Sequence, residues 1–452
     1  MVSALLGGCA VYHAKPLPSN DSLLTQDGLS RLSIDAAKMP LPALAAHRFD
    51  PSDGFDIDEI AMLAVANNPD LRLTRDDLGI AQAQAFSAGL LPDPQVSVSS
   101  DYPGAVGLSR AFSYGLSMDV MALVTRGANQ RSANATVRKT DLGLLWQEWQ
   151  VIAQARQLFV KARFQDEVLP LLAQQADLTQ QRYTRVAHAA SEHNVTGDTA
   201  TAALTAWEDA RKQSVDMQRA REQTRHDLNA LLGIAPATDL PLTGPAQVEP
   251  VDAATLDAAV AALPQRRPDL IALQAGYEAQ EQKFRAAILN QFPSLSVGFT
   301  RQRDTSEIYT SGFAINLTLP VFNRNRGNIA IEQATRQRLA DEYQGRLNAA
   351  HADIAHLQAD SALAAHQLAE DEAALPELDR AAAHARDAYA AHNIVIGQYV
   401  DAQSASLARR VDAATAREAL AEQRIALEAL LGSAIPTPYA DTSTDSHTTA
   451  TR

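Results

Sequence analysis

Apolar and polar residues alternate most sharply between Ser294 and Val321. Leu295, Val297 and Phe299 alternate with Ser294, Ser296, Gly298 and Thr300. After a polar interval, Phe313, Ile315, Leu317, Leu319 and Val321 alternate with Gly312, Ala314, Asn316, Thr318 and Pro320. A period of two sends the two sets to opposite faces of a strand. The pattern predicts a β-hairpin over about 294–321, with one apolar face and one face of small residues suited to lining a water-filled space. Two strands alone are marginal in water, and the flanking segments read as helices. Partners come from a second hairpin over about 95–121. There Val96 and Val98 open one arm, and Phe112, Tyr114, Leu116, Met118 and Val120 alternate with Ala111, Ser113, Gly115, Ser117 and Asp119.

The second hairpin belongs to a duplication. Pro69-Asp70-Leu71 returns 199 residues later as Pro268-Asp269-Leu270, and the same offset carries Pro94 to Pro293, His193-Asn194 to His392-Asn393, and Ala230–Gly233 to Ala429–Gly432. A repeat of this span overrides the domain count that length alone suggests. The expected organisation is a leader over 1–55, a first repeat over 56–235, a Pro-rich linker over 236–252, a second repeat over 253–434 and a Thr/Ser-rich tail over 435–452. Each repeat reads as helix, hairpin, long helix, turn and return helix.

The long helices are expected at 127–191 and 327–391, each roughly 100 Å at a 1.5 Å rise per residue, with Pro170 and Pro376 inside them. They are alanine-rich with a narrow apolar seam, as close helix–helix packing requires. The fold class is therefore mainly α with a small β part. Four strands of about ten residues match the ~9–11 of a tilted membrane strand. They are too few to close a barrel, which starts at about eight strands, whereas three chains would contribute twelve. The same three-fold arrangement surrounds the long helices with neighbours and makes a hollow helical tube below the barrel.

Composition removes other classes. The formal charge of −14 and the lack of a basic stripe exclude nucleic acid as a partner. No run approaches the 18 apolar residues of a membrane helix. No nucleophile elbow, P-loop, zincin or dinucleotide motif is present, so no enzymatic activity, cofactor or resident metal is expected. His188/His193 and His351/His356 are each five apart, off the i, i+4 spacing that pairs two imidazoles on one helical face. The single cysteine, Cys9, follows Leu6-Gly7-Gly8, which resembles a bacterial lipobox and implies lipidation of Cys9. The short apolar run before it lacks a basic segment, so a longer natural precursor is expected.

With these features together, residues 56–434 resemble the TolC family of trimeric outer-membrane efflux channels. The resemblance is carried by the duplication, by Asn68-Pro69-Asp70-Leu71 and Arg267-Pro268-Asp269-Leu270 opening the repeats, and by LPVFNRNRGN over 319–328. The Asn-Arg-Asn-Arg-Gly run over 323–327 resembles the branch paired with heavy-metal cation exporters. The resemblance implies a homotrimeric passive duct in the Gram-negative outer membrane, in contact with its lipid. A helical domain would hang in the periplasm and dock on a periplasmic adaptor and an inner-membrane RND-type pump. Heavy-metal cations lead as cargo; organic toxicants or secreted polypeptides are the alternatives.

Family channels close by drawing the helical tips together, with acids around the aperture. The family pattern there resembles D-V-L-D-A-Q, and the matching run is Gln398-Tyr399-Val400-Asp401-Ala402-Gln403. Asp401 is thus the expected gate acid, with Gln398 where a second acid would stand. Three Asp401 side chains near the axis would form a cation-favouring ring. The turns Val195-Thr196-Gly197 and Ile394-Val395-Ile396-Gly397 are the expected adaptor contacts: glycine permits a tight turn, and exposed apolar residues at a tip suit a partner surface. A periplasmic coiled-coil scaffold or adaptor is the reading from a different class, and the two amphipathic hairpins count against it.

Overall fold

A computed structural model describes residues 12–432, save 105, 249 and 251. Cys9 and the tail over 435–452 lie outside the described residues. The leader carries helices α1 (Gln26–Leu29) and α2 (Pro42–Ala46), separated by a 3-10 turn at Ala36–Lys38. It contributes to the core, because Leu29 and Leu44 are buried, and Leu24 and Phe55 bridge to Ile234 and Leu242.

Helix α3 (Ile57–Asn67) starts in a capping box, in which Asp56 accepts from the Asp58 and Glu59 amides while Glu59 accepts from the Asp56 amide. Pro69 then opens α4 (Pro69–Gly89), where a missing N–H costs nothing. The Asn68 side chain caps this helix through the Leu71 amide at 2.9 Å. Strands β1 (Gln95–Asp101) and β2 (Ala111–Asp119) follow, then α5 (Val120–Ser191) and α6 (Gly197–Leu231). The second repeat supplies α7 (Ala253–Ala261), α8 (Leu263–Arg266), α9 (Pro268–Leu289), β3 (Ser294–Arg303), β4 (Tyr309–Thr318), α10 (Arg326–Ala390) and α11 (Ile396–Leu431).

Two strand-to-helix junctions differ from expectation. Helix α5 begins seven residues before Gly127 and runs for 72 residues, about 108 Å. The reason is Asp119, which ends β2 and caps α5 at once: its carboxylate accepts from the Met121 amide at 2.8 Å. In the second repeat β4 stops at Thr318, short of Val321. Pro320 has no N–H for a ladder, and the chain turns through Arg324 and Asn325, both left-handed (φ 48 and 54). The Asn325 side chain fixes this turn by donating to the Ala287 carbonyl at 2.8 Å. The Asn-Arg-Asn-Arg-Gly run is thus the elbow between sheet and helix. Asparagine tolerates the left-handed region there.

The sheet is antiparallel throughout in the order β1-β2-β3-β4. The β2–β3 pairing joins the two repeats edge to edge. The main core lies below the sheet, where leader and helices meet: Phe55, Ile60, Leu63, Phe159, Val160, Leu232, Ile234 and Ile425 pack together. A second cluster of Leu256, Leu263, Leu270, Ile354 and Leu431 repeats the arrangement. Beside the latter, Arg267 and Asp269 form a buried bidentate pair (3.0 and 2.8 Å), and the guanidinium lies 4.8 Å from the Trp146 ring.

Candidate functional site: the pore wall and the helical tips

Register turns the alternation into two surfaces. One face carries the rows Val96–Leu116–Phe299–Phe313, Met118–Val297–Ile315 and Leu295–Leu317. Most of these side chains are not covered by the chain itself: Phe313 is 90% exposed, Val96 73% and Ile315 70%, while Met118 and Leu295 are half-buried. Phe86, Leu90, Leu91, Phe292, Val321 and Phe322 below the sheet are exposed as well. The opposite face carries Ser97–Gly115–Thr300–Gly312 and Gln95–Ser117–Gly298–Ala314. A Cβ on Gly298 would meet the Leu116 carbonyl at 2.8 Å, so the strands approach too closely there for a side chain. Among the described residues, β1 and β4 each keep one unpaired edge.

At the other end of the long helices, both turns share one backbone solution. His193 and His392 are left-handed (φ 62 and 58). Asn194 donates to the Ala189 carbonyl and His193 to that of Ala190; Asn393 and His392 do the same to Ala388 and Tyr389. This is the Schellman arrangement. The glycine rationale for these tips is thereby corrected. Gly197 opens α6 and Gly397 is the second residue of α11, neither has positive φ, and a Cβ on either would meet open space.

The apolar tip residues also redistribute. Val195 and Val395 are exposed, as is Thr196. Ile394 is only half-buried, and Ile396 packs with Tyr399 against the cluster of Leu178, Val400 and Leu407. Ile396 therefore serves the helix seam first, because α5 and α11 run side by side there.

Asp401 stands on α11 with its carboxylate 2.7 Å from the Arg182 guanidinium of α5. One turn further along α5, Arg185 donates to the Tyr389 hydroxyl and lies 5.3 Å from its ring centroid. Tyr389 in turn stacks on Tyr399 at 4.8 Å and 5°. Further along the same seam Gln175 donates to Ser404 at 2.9 Å, and Glu167 pairs with Arg417 at 2.9 Å. Within the chain the Asp401 carboxylate is therefore paired with Arg182. Gln398 is exposed. Arg182, Arg185, Tyr389 and Tyr399 escaped the sequence reading: nothing local marks partners 219 and 204 residues apart, and the two rings meet only because α10 turns back into α11.

The chain thus combines a four-stranded antiparallel sheet with helical hairpins about 100 Å long. Residues 260–433 match the family of outer membrane efflux proteins, and more than nine-tenths of the chain shares the fold of TolC-type outer-membrane channels. It superposes on CusC (TM-score 0.66, 19% identity, 92% of this chain and 99% of that one), from work on its folding and transmembrane channel formation. The open state of the Neisseria gonorrhoeae MtrE outer membrane channel is similar (0.68, 20%, covering 83% and 89%). So is the Campylobacter jejuni CmeC outer membrane channel (0.70, 16%, covering 94% and 95%). No curated protein matches the chain. The TolC resemblance and the mainly helical fold with four strands are borne out.

Proposed function

We propose that three copies of this chain form a passive outer-membrane exit duct, the outermost component of a tripartite efflux system. The observation that carries this reading is the sheet: one exposed apolar face, one face of small polar residues, and two unpaired edges in a single chain. Backbone groups at an open edge go unsatisfied in lipid. Pairing the β4 edge of one copy with the β1 edge of the next, three times, closes twelve strands and removes every edge. The apolar face then meets hydrocarbon, and the serine, threonine and glycine rows line water. The long helices extend the duct into the periplasm, and Val195, Thr196, Gly197, Ile394, Val395, Ile396 and Gly397 present a surface to a periplasmic adaptor bridging to an RND-type pump. Cys9 would anchor the leader by a lipid. Heavy-metal cations lead as cargo, resting on the resemblance of residues 323–327; organic toxicants are the alternative within the class.

The test is single-channel recording of the purified protein in a planar bilayer, together with cross-linking across the β4–β1 edge, pairing Ser97→Cys in turn with Gly312→Cys, Ala314→Cys and Asn316→Cys on the same face, because barrel closure staggers the register. Discrete conductance steps and a cross-linked trimer are expected. A monomer that remains soluble without detergent and never inserts refutes the reading in favour of a periplasmic scaffold.

A further inference from the structure

Three arginines gather where the apolar face of the sheet ends. Arg301 and Arg303 continue the same face of β3 as Val297 and Phe299. Arg301 stands in register with Tyr114 and Ser311, and Arg303 with Phe112 and Tyr309. Arg110 precedes β2 by one residue, and its guanidinium lies 4.4 Å from the Tyr102 ring centroid. Arg303 lies 5.7 Å from the Phe112 centroid and donates to the Arg110 carbonyl at 3.0 Å, while its Nε is buried without a partner. The carboxylates of the neighbouring hairpin tip are engaged otherwise. Asp304 accepts from the Ser306 and Ile308 amides and Glu307 from the Ser109 hydroxyl. Among the described residues, none lies within 4.0 Å of the three guanidinium groups.

We propose that Arg110, Arg301 and Arg303 bind the phosphate groups of phosphorylated lipid headgroups in the outward leaflet. The inference rests on the channel reading, which turns this face to lipid. A guanidinium on a lipid-facing row is costly at the midplane and nearly free at the interface. The arginines therefore mark the outer limit of the hydrocarbon, where Tyr102, Phe112, Tyr114 and Tyr309 supply the aromatic girdle of such a boundary. In a chain of net charge −14, a carboxylate-free cluster of positive charge at this depth has one complementary neighbour, the anionic headgroup layer. Guanidinium forks suit phosphate oxygens, which they meet with paired N–H groups. Aromatic rings beneath Arg110 and Arg303 hold two of the forks in place without neutralising them.

The experiment uses the full chain in phosphatidylcholine vesicles and titrates fluorescent bis-phosphorylated lipid A against its dephosphorylated form. The wild type is expected to prefer the phosphorylated lipid. R301Q/R303Q should weaken that binding about twenty-five-fold, about fivefold for each arginine at an anionic surface, with conductance steps retained. R110Q, outside the strands, should lose about fivefold and decides the matter if the double variant fails to assemble. Equal binding of both lipids, or binding unchanged in the assembled variants, overturns the inference alone. A wild type that inserts into no vesicle overturns the channel reading, and this inference with it.

Discussion

Removing Arg182 isolates the contact that ties the two helical hairpins at their tips. The Arg182–Asp401 pair spans 2.7 Å between side chains 34% and 66% exposed, so it is worth about 0.5 kcal/mol, not the several kcal/mol of a buried pair. In the proposed trimer three pairs would break together, about 1.5 kcal/mol in all, which is about a tenfold change between two conductance states. If the pair holds the tips of α10–α11 against α5, Arg182→Ala shifts occupancy toward the wider state by that factor. Asp401→Ala should shift it equally, and the double variant no further, since each single change already removes the whole interaction. Salt supplies the second arm. Raising ionic strength from 0.1 M to 1 M shortens the screening length from about 10 Å to about 3 Å, so wild-type occupancy should move toward that of Arg182→Ala while the variant itself barely responds. Single-channel dwell times at both salt concentrations measure all four quantities. Effects of Arg182→Ala and Asp401→Ala that simply add, or equal salt responses in wild type and variant, refute the reasoning.

The remaining expectations concern lipid, core and pH. Ile315→Arg, on the exposed apolar row, should destabilise the membrane-inserted trimer by about 2–4 kcal/mol if its row lies near the midplane, whereas Asn316→Arg on the opposite face should assemble and lower conductance; equal tolerance of both in detergent-free folding yields would contradict the orientation of the sheet. Asp269→Ala strands the Arg267 guanidinium in the core, where the two side chains are 4% and 7% exposed, and should cost about 3–5 kcal/mol in thermal unfolding. Asp70→Ala at the equivalent exposed position of the first repeat should stay within about 0.5 kcal/mol. Burial pushes the Glu418 carboxyl up to about 7, with repulsion from Glu422 adding and Lys161 opposing. The folded state thus favours the protonated form, whose contribution is complete below 4.5 and is lost as pH rises to about 7. Glu418→Gln should flatten this loss by on the order of 1 kcal/mol after solvent screening of a half-buried group; an unchanged slope of thermal stability against pH would count against it.

How much was legible in the sequence follows from the range of each interaction. The hairpins, the breaks at Pro69 and Pro268 and the duplication are written in residues a few positions apart or at one fixed offset. The exact junctions were not, because Asp119 serves strand and helix together and its capping role shows only once the chain has turned. The tips misled for a related reason. Gly197 and Gly397 looked like turn residues by composition, yet His193 and His392 take the left-handed position. The partner of Asp401 lies across the duplication, where local patterning carries no signal.

The tip contacts show how far the two repeats have diverged in purpose. At the offset of 199, Asp401 corresponds to Ala202, Tyr389 to Ala190, Tyr399 to Ala200 and Arg182 to Ala381. An alanine can form neither the ion pair nor the ring stack. Each protomer therefore ties α5 to the second hairpin with this set of side chains, and the mirrored tie, from α10 to the first hairpin, cannot be built from the equivalent positions. Each hairpin also carries a ring stack of its own, Tyr183 on Trp207 at 5.4 Å within α5–α6 and Tyr389 on Tyr399 at 4.8 Å within α10–α11. The asymmetry lies between the hairpins: α11 meets α5 through the Arg182–Asp401 pair and through buried Leu178, Val400 and Leu407, whose counterparts at the offset of 199 are Glu377, Thr201 and Glu208. A duct that opens by moving one hairpin against another needs that asymmetry, and the backbone, identical in its two Schellman turns, does not provide it. The side chains do.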